Sequence, residues 1–158
     1  MPRDRCVKSI LALLLLALSG STAFGADPTP AVAAVAAVPE GYRLRAGDTL
    51  TVEADVENTG AADGDEVAEL YLAPPHTAVS PTVALAGFER VHILEGRTAH
   101  VVFHLDARTL SQVDAEGVRA VSPGQYRIYV GGSQPSGDAG SAVRSEEFTV
   151  AGAKELPR

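Results

Sequence analysis

The side chains whose types and spacing could do chemistry fall into a few groups. Asp63, Asp65 and Glu66 stand close together and would suit either a carboxylate pair for glycoside hydrolysis or a calcium loop. Glycoside hydrolysis needs two carboxyls roughly 5–9.5 Å apart, one with its pKa raised by an apolar wall. The glycine-rich stretch that carries these acids, Asn58 to Asp65, offers no such wall. Calcium takes about six to eight oxygens, and three acids without EF-hand spacing do not supply them. These residues read as turn formers. His92, His100 and His104 raise the question of metal. On a strand, positions i and i+4 share a face but lie ~13 Å apart, too far for one ion with bonds of ~2 Å to nitrogen. His92 could meet one of the others across strands, giving two ligands at most. Solvent-facing histidines fit better. Ser122, Ser133, Ser136, Ser141 and Ser145 sit in loops, with no Gly-x-Ser-x-Gly elbow to make a nucleophile. No catalytic, cofactor-binding or metal-binding residue is therefore assigned, and no cofactor is expected. There is no tryptophan for a sugar platform. Tyr129, outward on its strand, and Tyr42, near an edge, are the candidate contact residues, since exposed tyrosine is common at interfaces. The alternative for each is a tyrosine that simply lies on a sheet surface.

The elements that must position these residues are strands. Thr49 to Val56 alternates strictly, with Leu50, Val52, Ala54 and Val56 on one face and Thr49, Thr51, Glu53 and Asp55 on the other, the pattern of a half-buried strand. Asn58, Gly60, Asp63, Gly64 and Asp65 accept turn and left-handed conformations. Glu66 to Ala73 resumes as a strand and stops at Pro74-Pro75, because proline cannot donate to a ladder. Val83 to Leu94 has an impure period with a bend at Gly87, so it reads as two short strands or one bulged strand. Thr98 to Leu105 and Gln125 to Val130 alternate again, Ser145 to Val150 closes the set, and Tyr42 to Arg45 reads as a short edge strand. Asp106 can cap a single helical turn. About seven short strands with frequent turns and no helix-period stretch predict an all-β, antiparallel two-sheet sandwich of the immunoglobulin or fibronectin type III kind. Phe103, Val101, Val52, Val56, Leu70 and Phe148 fall on inward phases and are the expected core. Tyr126, after Pro123-Gly124, is expected to be a buried strut whose hydroxyl bonds to backbone a few residues upstream.

The ends read differently. Arg3, Arg5 and Lys8 precede an apolar run, Ile10 to Leu18, and small residues follow up to Ala26. This is the pattern of a cleavable secretory signal over residues 1–25; the rival, a retained anchor, would need ~20 apolar residues. Residues 26–39, rich in alanine and proline, read as an extended, mobile spacer, residues 40–151 as the domain, and 152–158 as a frayed tail. The single cysteine, Cys6, lies in the expected leader, so a mature chain has no disulfide and must rely on core burial. The formal net charge is −7, and loss of Arg3, Asp4, Arg5 and Lys8 makes it more negative. An acidic exported protein is a poor match for nucleic acid or an anionic membrane.

A family resemblance appears once these pieces are read in order. They are Val56-Glu57-Asn58-Thr59-Gly60, Gly64-Asp65-Glu66-Val67-Ala68-Glu69-Leu70-Tyr71-Leu72, Pro81, Leu85-Ala86-Gly87-Phe88-Glu89-Arg90-Val91, Leu94-Glu95-Gly96-Arg97, Asp114-Ala115-Glu116-Gly117 and Pro123-Gly124-Gln125-Tyr126 leading to Val130-Gly131. Over about residues 40–151 the chain resembles the fibronectin type III-like domain found at the C-terminus of glycoside hydrolase family 3 enzymes, the β-glucosidases and β-xylosidases. The resemblance implies an accessory sandwich, with the nucleophile and acid/base in other domains; no position here matches a catalytic motif. The expectation is an exported, periplasmic or extracellular, non-catalytic module that works by contact. Its partner is a glycoside hydrolase, another envelope protein or a polysaccharide, with no nucleic acid and no membrane after signal cleavage. The rival expectation is the remnant of a family 3 β-glucosidase that lost its catalytic domains.

Overall fold

The computed structural model describes residues 31–36, 41–76, 82–135 and 143–157. The expected leader, with Cys6, lies outside them. Eleven strands and one helical turn follow in order: β1 (Ala31–Ala36), β2 (Arg43–Arg45), β3 (Leu50–Glu57), β4 (Gly64–Ala73), β5 (Ala84–Ile93), β6 (Thr98–Leu105), α1 (Ala107–Leu110), β7 (Gln112–Val113), β8 (Arg119–Val121), β9 (Gly124–Gly131), β10 (Arg144–Ala151) and β11 (Lys154–Glu155). One sheet has the order β1-β3-β6, a second β2-β10-β9-β4-β5, and a small third β11-β8-β7. Every pairing is antiparallel except β2 with β10. The two large sheets enclose one core, so the chain is an all-β sandwich.

The core forms where the sequence alternates. In β3 and β6 the inward residues meet directly, Leu50 opposite Leu105, Val52 opposite Phe103 and Ala54 opposite Val101. The second sheet answers with Leu70, Leu72, Ile93, Tyr126, Ile128, Val130, Phe148 and Val150, all buried. All six expected core residues are among the buried ones. Tyr126 stacks on Phe148 with ring centroids 5.4 Å apart and donates from its hydroxyl to the Ser122 carbonyl at 2.9 Å. That is the expected strut, and burial holds its phenol above the ordinary pKa. Gly124, which opens β9, has φ +141° and would put a Cβ 2.8 Å from the Pro75 ring, so only glycine fits this corner. Asp106 caps α1, accepting from the Thr109 backbone N–H at 2.8 Å.

Two expectations about the ends are corrected. Within the stretch assigned to a mobile spacer, Ala31–Ala36 is a strand that pairs with β3 from Glu57 to Glu53. It contains no proline, and β3 has an unpaired ladder on that side; a proline-free Ala/Val segment satisfies it. The tail is not wholly frayed either. Gly152 (φ +81°) turns the chain, β11 pairs with β8, and the Leu156 N–H donates to the Arg119 carbonyl at 2.8 Å. The four strands beyond the expected seven are β1, β7, β8 and β11, all set by partners distant in sequence or too short to show a period.

Candidate functional site

The acids of the β3–β4 corner do not converge. Asp63 accepts from the Glu95 backbone N–H at 2.8 Å. Asp65 pairs with Arg90 at 2.5 Å and with His92 Nδ1 at 2.6 Å; the His92 hydrogen bond first, then Arg90, hold its carboxyl below the usual range. An acid so held stays ionised and does not serve as a general acid near neutral pH. Glu66 is half-buried, and burial first, with Glu69 adding to it, pushes its pKa up. Each acid is thus engaged in its own local contacts. Asn58 makes the corner rigid. It is fully buried; its side-chain amide donates to the Ala62 and Ile93 carbonyls at 2.8 and 2.9 Å and accepts from the Gly60 N–H at 2.9 Å. Sequence reasoning found Asn58 as a turn residue but not as a buried tie, because Ile93 is thirty-five positions away.

The histidines are exposed, and they separate. His92 lies on β5 of the five-stranded sheet, whereas His100 and His104 lie on β6 of the other, so the suggested cross-strand meeting of His92 with one of them does not occur. His100 pairs with Asp55 at 2.8 Å, and His104 lies 3.2 Å from the Thr51 hydroxyl. Among the described residues no group of three or more metal-ligating side chains comes together. Ser136 and Ser141 lie outside the described residues.

What the fold does assemble is the outer face of the five-stranded sheet. Directly paired residues share a face, so one row runs Ser145, Tyr129, Tyr71, Leu85 across β10, β9, β4 and β5. The next rows place Phe88 beside Glu69 and Arg90 beside Val67. Leu85 is 52%, Phe88 69% and Val67 39% exposed, an apolar strip on the β4–β5 side. Leu85 and Phe88 are an odd number of positions apart and would face opposite ways on a regular strand. They share the outer face because Ala86 is an extra residue between two register pairs, a β-bulge. The impure period and Gly87 signalled the bend, but not that it turns Phe88 outward. Tyr71 donates from its hydroxyl to Glu69 at 2.8 Å.

The β9–β10 side is polar. Glu147 accepts from Arg127 Nε at 2.8 Å and from the Gln125 amide, and Arg127 also bonds to Tyr129. Glu147 first, then Tyr129, raise the Arg127 pKa further. Over this network lies an open pocket of about 650 Å³, lined by Gly41, Gln125, Arg127, Ser145, Glu147 and Thr149 among others. Of the two candidate contact residues, Tyr129 is half-buried on this outer face, while Tyr42 is half-buried against the core.

Residues 66–134 match the family model of the fibronectin type III-like domain. Over 100 residues, 62% of the chain, it is 42% identical to the probable β-glucosidase M of Neosartorya fischeri. Over 119 residues, 75% of the chain, it is 34% identical to the probable β-glucosidase D of Emericella nidulans. In three dimensions it resembles a β-glucosidase from Listeria innocua with a TM-score of 0.62 and 25% identity over 78% of this chain. These matches span only 13%, 14% and 16% of the respective relatives.

Proposed function

From the premise that residues 66–134 are a fibronectin type III-like domain, related to that of family 3 β-glucosidases, we infer that the chain is an exported, non-catalytic docking module. It works by protein contact, seating the outer face of its five-stranded sheet on the catalytic part of a glycoside hydrolase. The observation that carries this reading is the apolar strip of Leu85, Phe88 and Val67, brought to one exposed face by a bulge. Exposed aromatic and aliphatic anchors of this kind dominate binding energy at interfaces. The choice of partner rests on the matched relatives, in which the like segment makes up a small part of a β-glucosidase. Export rests on the basic start, apolar run and small residues of the leader. The non-catalytic reading rests on the local engagement of Asp63, Asp65 and Glu66.

The test is a binding assay between the full chain and a β-glucosidase from which the corresponding domain has been deleted. Phe88→Asp combined with Leu85→Asp should weaken binding by about tenfold or more, since even one anchor lost at an interface centre costs that much. Unchanged affinity in that double variant sinks the docking reading. Separately, the purified chain should not turn over aryl β-glucosides or β-xylosides. Turnover that disappears in Asp63→Asn or Asp65→Asn would return the chemistry to the β3–β4 corner.

A further inference from the structure

We propose that, in the absence of the glycoside hydrolase, a second copy of this chain covers the apolar strip of the five-stranded sheet, as a face-to-face two-fold dimer. The proposal deepens the docking reading and rests on it in one respect: dimer and hydrolase share the strip, so each excludes the other. The physical basis is the register of β4 and β5. Glu69 pairs with Phe88, and in the next outward-facing row Val67 pairs with Arg90. These four side chains stand at the corners of a rectangle of about 5 by 7 Å on the outer face. Its two diagonals differ in chemistry. Phe88 and Val67, both exposed, occupy one; the opposite charges Glu69 and Arg90 occupy the other.

A two-fold axis lying in the interface along the apolar diagonal sets each copy's Phe88 and Val67 against the same residues of the other. The same rotation carries Glu69 of one copy over Arg90 of the other, and the reverse, so an ion pair flanks the apolar centre on each side. Such a patch is self-complementary, which is the requirement of an isologous contact. A two-fold along the charged diagonal instead lays Glu69 on Glu69 and Arg90 on Arg90, and like charges facing one another are costly. The charges thus select one arrangement. Its strands cross at ~70°, close to the orthogonal class of sheet packing. Both charges can reach across. Arg90, with its side chain 72% exposed, contacts Asp65 and keeps further N–H donors. Glu69 accepts from Tyr71 on one carboxylate oxygen and keeps lone pairs on the other. The patch is smaller than a standard interface of ~800 Å² per partner, so the dimer is weak and reversible. A hydrolase that offers a larger surface displaces it.

The experiment is sedimentation equilibrium of the full chain over a concentration series reaching ~1 mM. A concentration-dependent balance of monomer and dimer is expected. Glu69→Arg and Arg90→Glu should each weaken dimerisation by about tenfold or more, because each turns both ion pairs into like-charge contacts. Mixing these two variants should restore association, since every facing pair is then opposite in charge again; a general loss of folding gives no such rescue. Phe88→Ser should abolish the dimer, whereas Gln125→Ala, on the β9–β10 side, should dimerise as the parent does. A β-glucosidase lacking the corresponding domain, added in excess, should convert the dimer to a one-to-one complex. A chain that stays monomeric throughout overturns the proposal and leaves docking to its own assay. So does parental dimerisation in both single charge variants, or a mixture of the two that associates no better than either alone. Hydrolase bound to an intact dimer refutes the shared strip. Absence of hydrolase binding in a chain that dimerises as described sinks the docking reading and leaves the dimer standing.

Discussion

Among the described residues Asn58 is the one fully buried polar side chain, and Asn58→Ala tests how the β3–β4 corner is held. The change removes three side-chain hydrogen bonds. The Ile93 carbonyl is buried, and leaving it without its donor costs about 1–3 kcal/mol. The Ala62 carbonyl and the Gly60 N–H are only partly buried, so water can replace the amide there at a cost of about 0.5–1 kcal/mol each. The total comes to about 2–5 kcal/mol, a large share of the ~5–15 kcal/mol of a typical domain. For a domain between the small and the large size classes each kcal/mol lowers Tm by roughly 4 °C, so a drop of about 8–20 °C is expected in a thermal melt followed by far-UV circular dichroism. Asn58→Asp keeps the shape but faces the Ala62 and Ile93 carbonyls with a carboxyl. Burial and those two dipoles raise its pKa above the ordinary value of about 3.9. The sign follows by linkage: this variant is most stable below that ordinary pKa and loses stability as pH rises through its folded value. A Tm within about 3 °C of the parent for Asn58→Ala would refute the reasoning. So would a stability gap between Asn58→Asp and the parent that stays constant from acidic to neutral pH.

Other expectations follow from the same packing. Tyr126→Phe should lower stability by about 1 kcal/mol or more, because the Ser122 carbonyl loses its 2.9 Å donor; an unchanged urea midpoint argues against the strut. Phe103→Ala should cost about 3–5 kcal/mol, given its place opposite Val52 in the core, and a melt near that of the parent would show that the core does not depend on it. Glu66 has a raised pKa from burial, so its contribution is fully present below the ordinary carboxyl pKa and falls as pH rises through the folded value. Glu66→Gln should therefore flatten the stability–pH curve above that point, and denaturant melts across acidic to neutral pH decide it. Removing residues 31–36 uncovers the β3 edge, which should lower the Tm and promote self-association, read by light scattering; a monomer of parental stability would mean that β1 is dispensable.

The sequence by itself determined whatever rests on neighbours a few positions apart. Period-two alternation in β3, β6 and β9 placed Val52, Phe103 and Ile128 inside, because a strand turns successive side chains to opposite faces regardless of partner. Pro123-Gly124 before Tyr126 marked the corner, and Asp106 marked the cap of α1, for equally local reasons. The tertiary structure decided what depends on distant partners. Ala31–Ala36 is a strand because β3 has a free edge, and Lys154–Glu155 is one because β8 does. His92 and His100 resemble each other in sequence but belong to different sheets. Asn58 is buried because Ile93 comes to it from another strand. Phe88 faces outward because one extra residue, Ala86, shifts the register of β5 against β4. A single-residue slip exchanges the two faces of a strand, and only the pairing reveals where the slip falls. The face that carries both the apolar strip and the polar pocket is therefore a product of sheet order, which brings β5, β4, β9 and β10 side by side from widely separated stretches of chain.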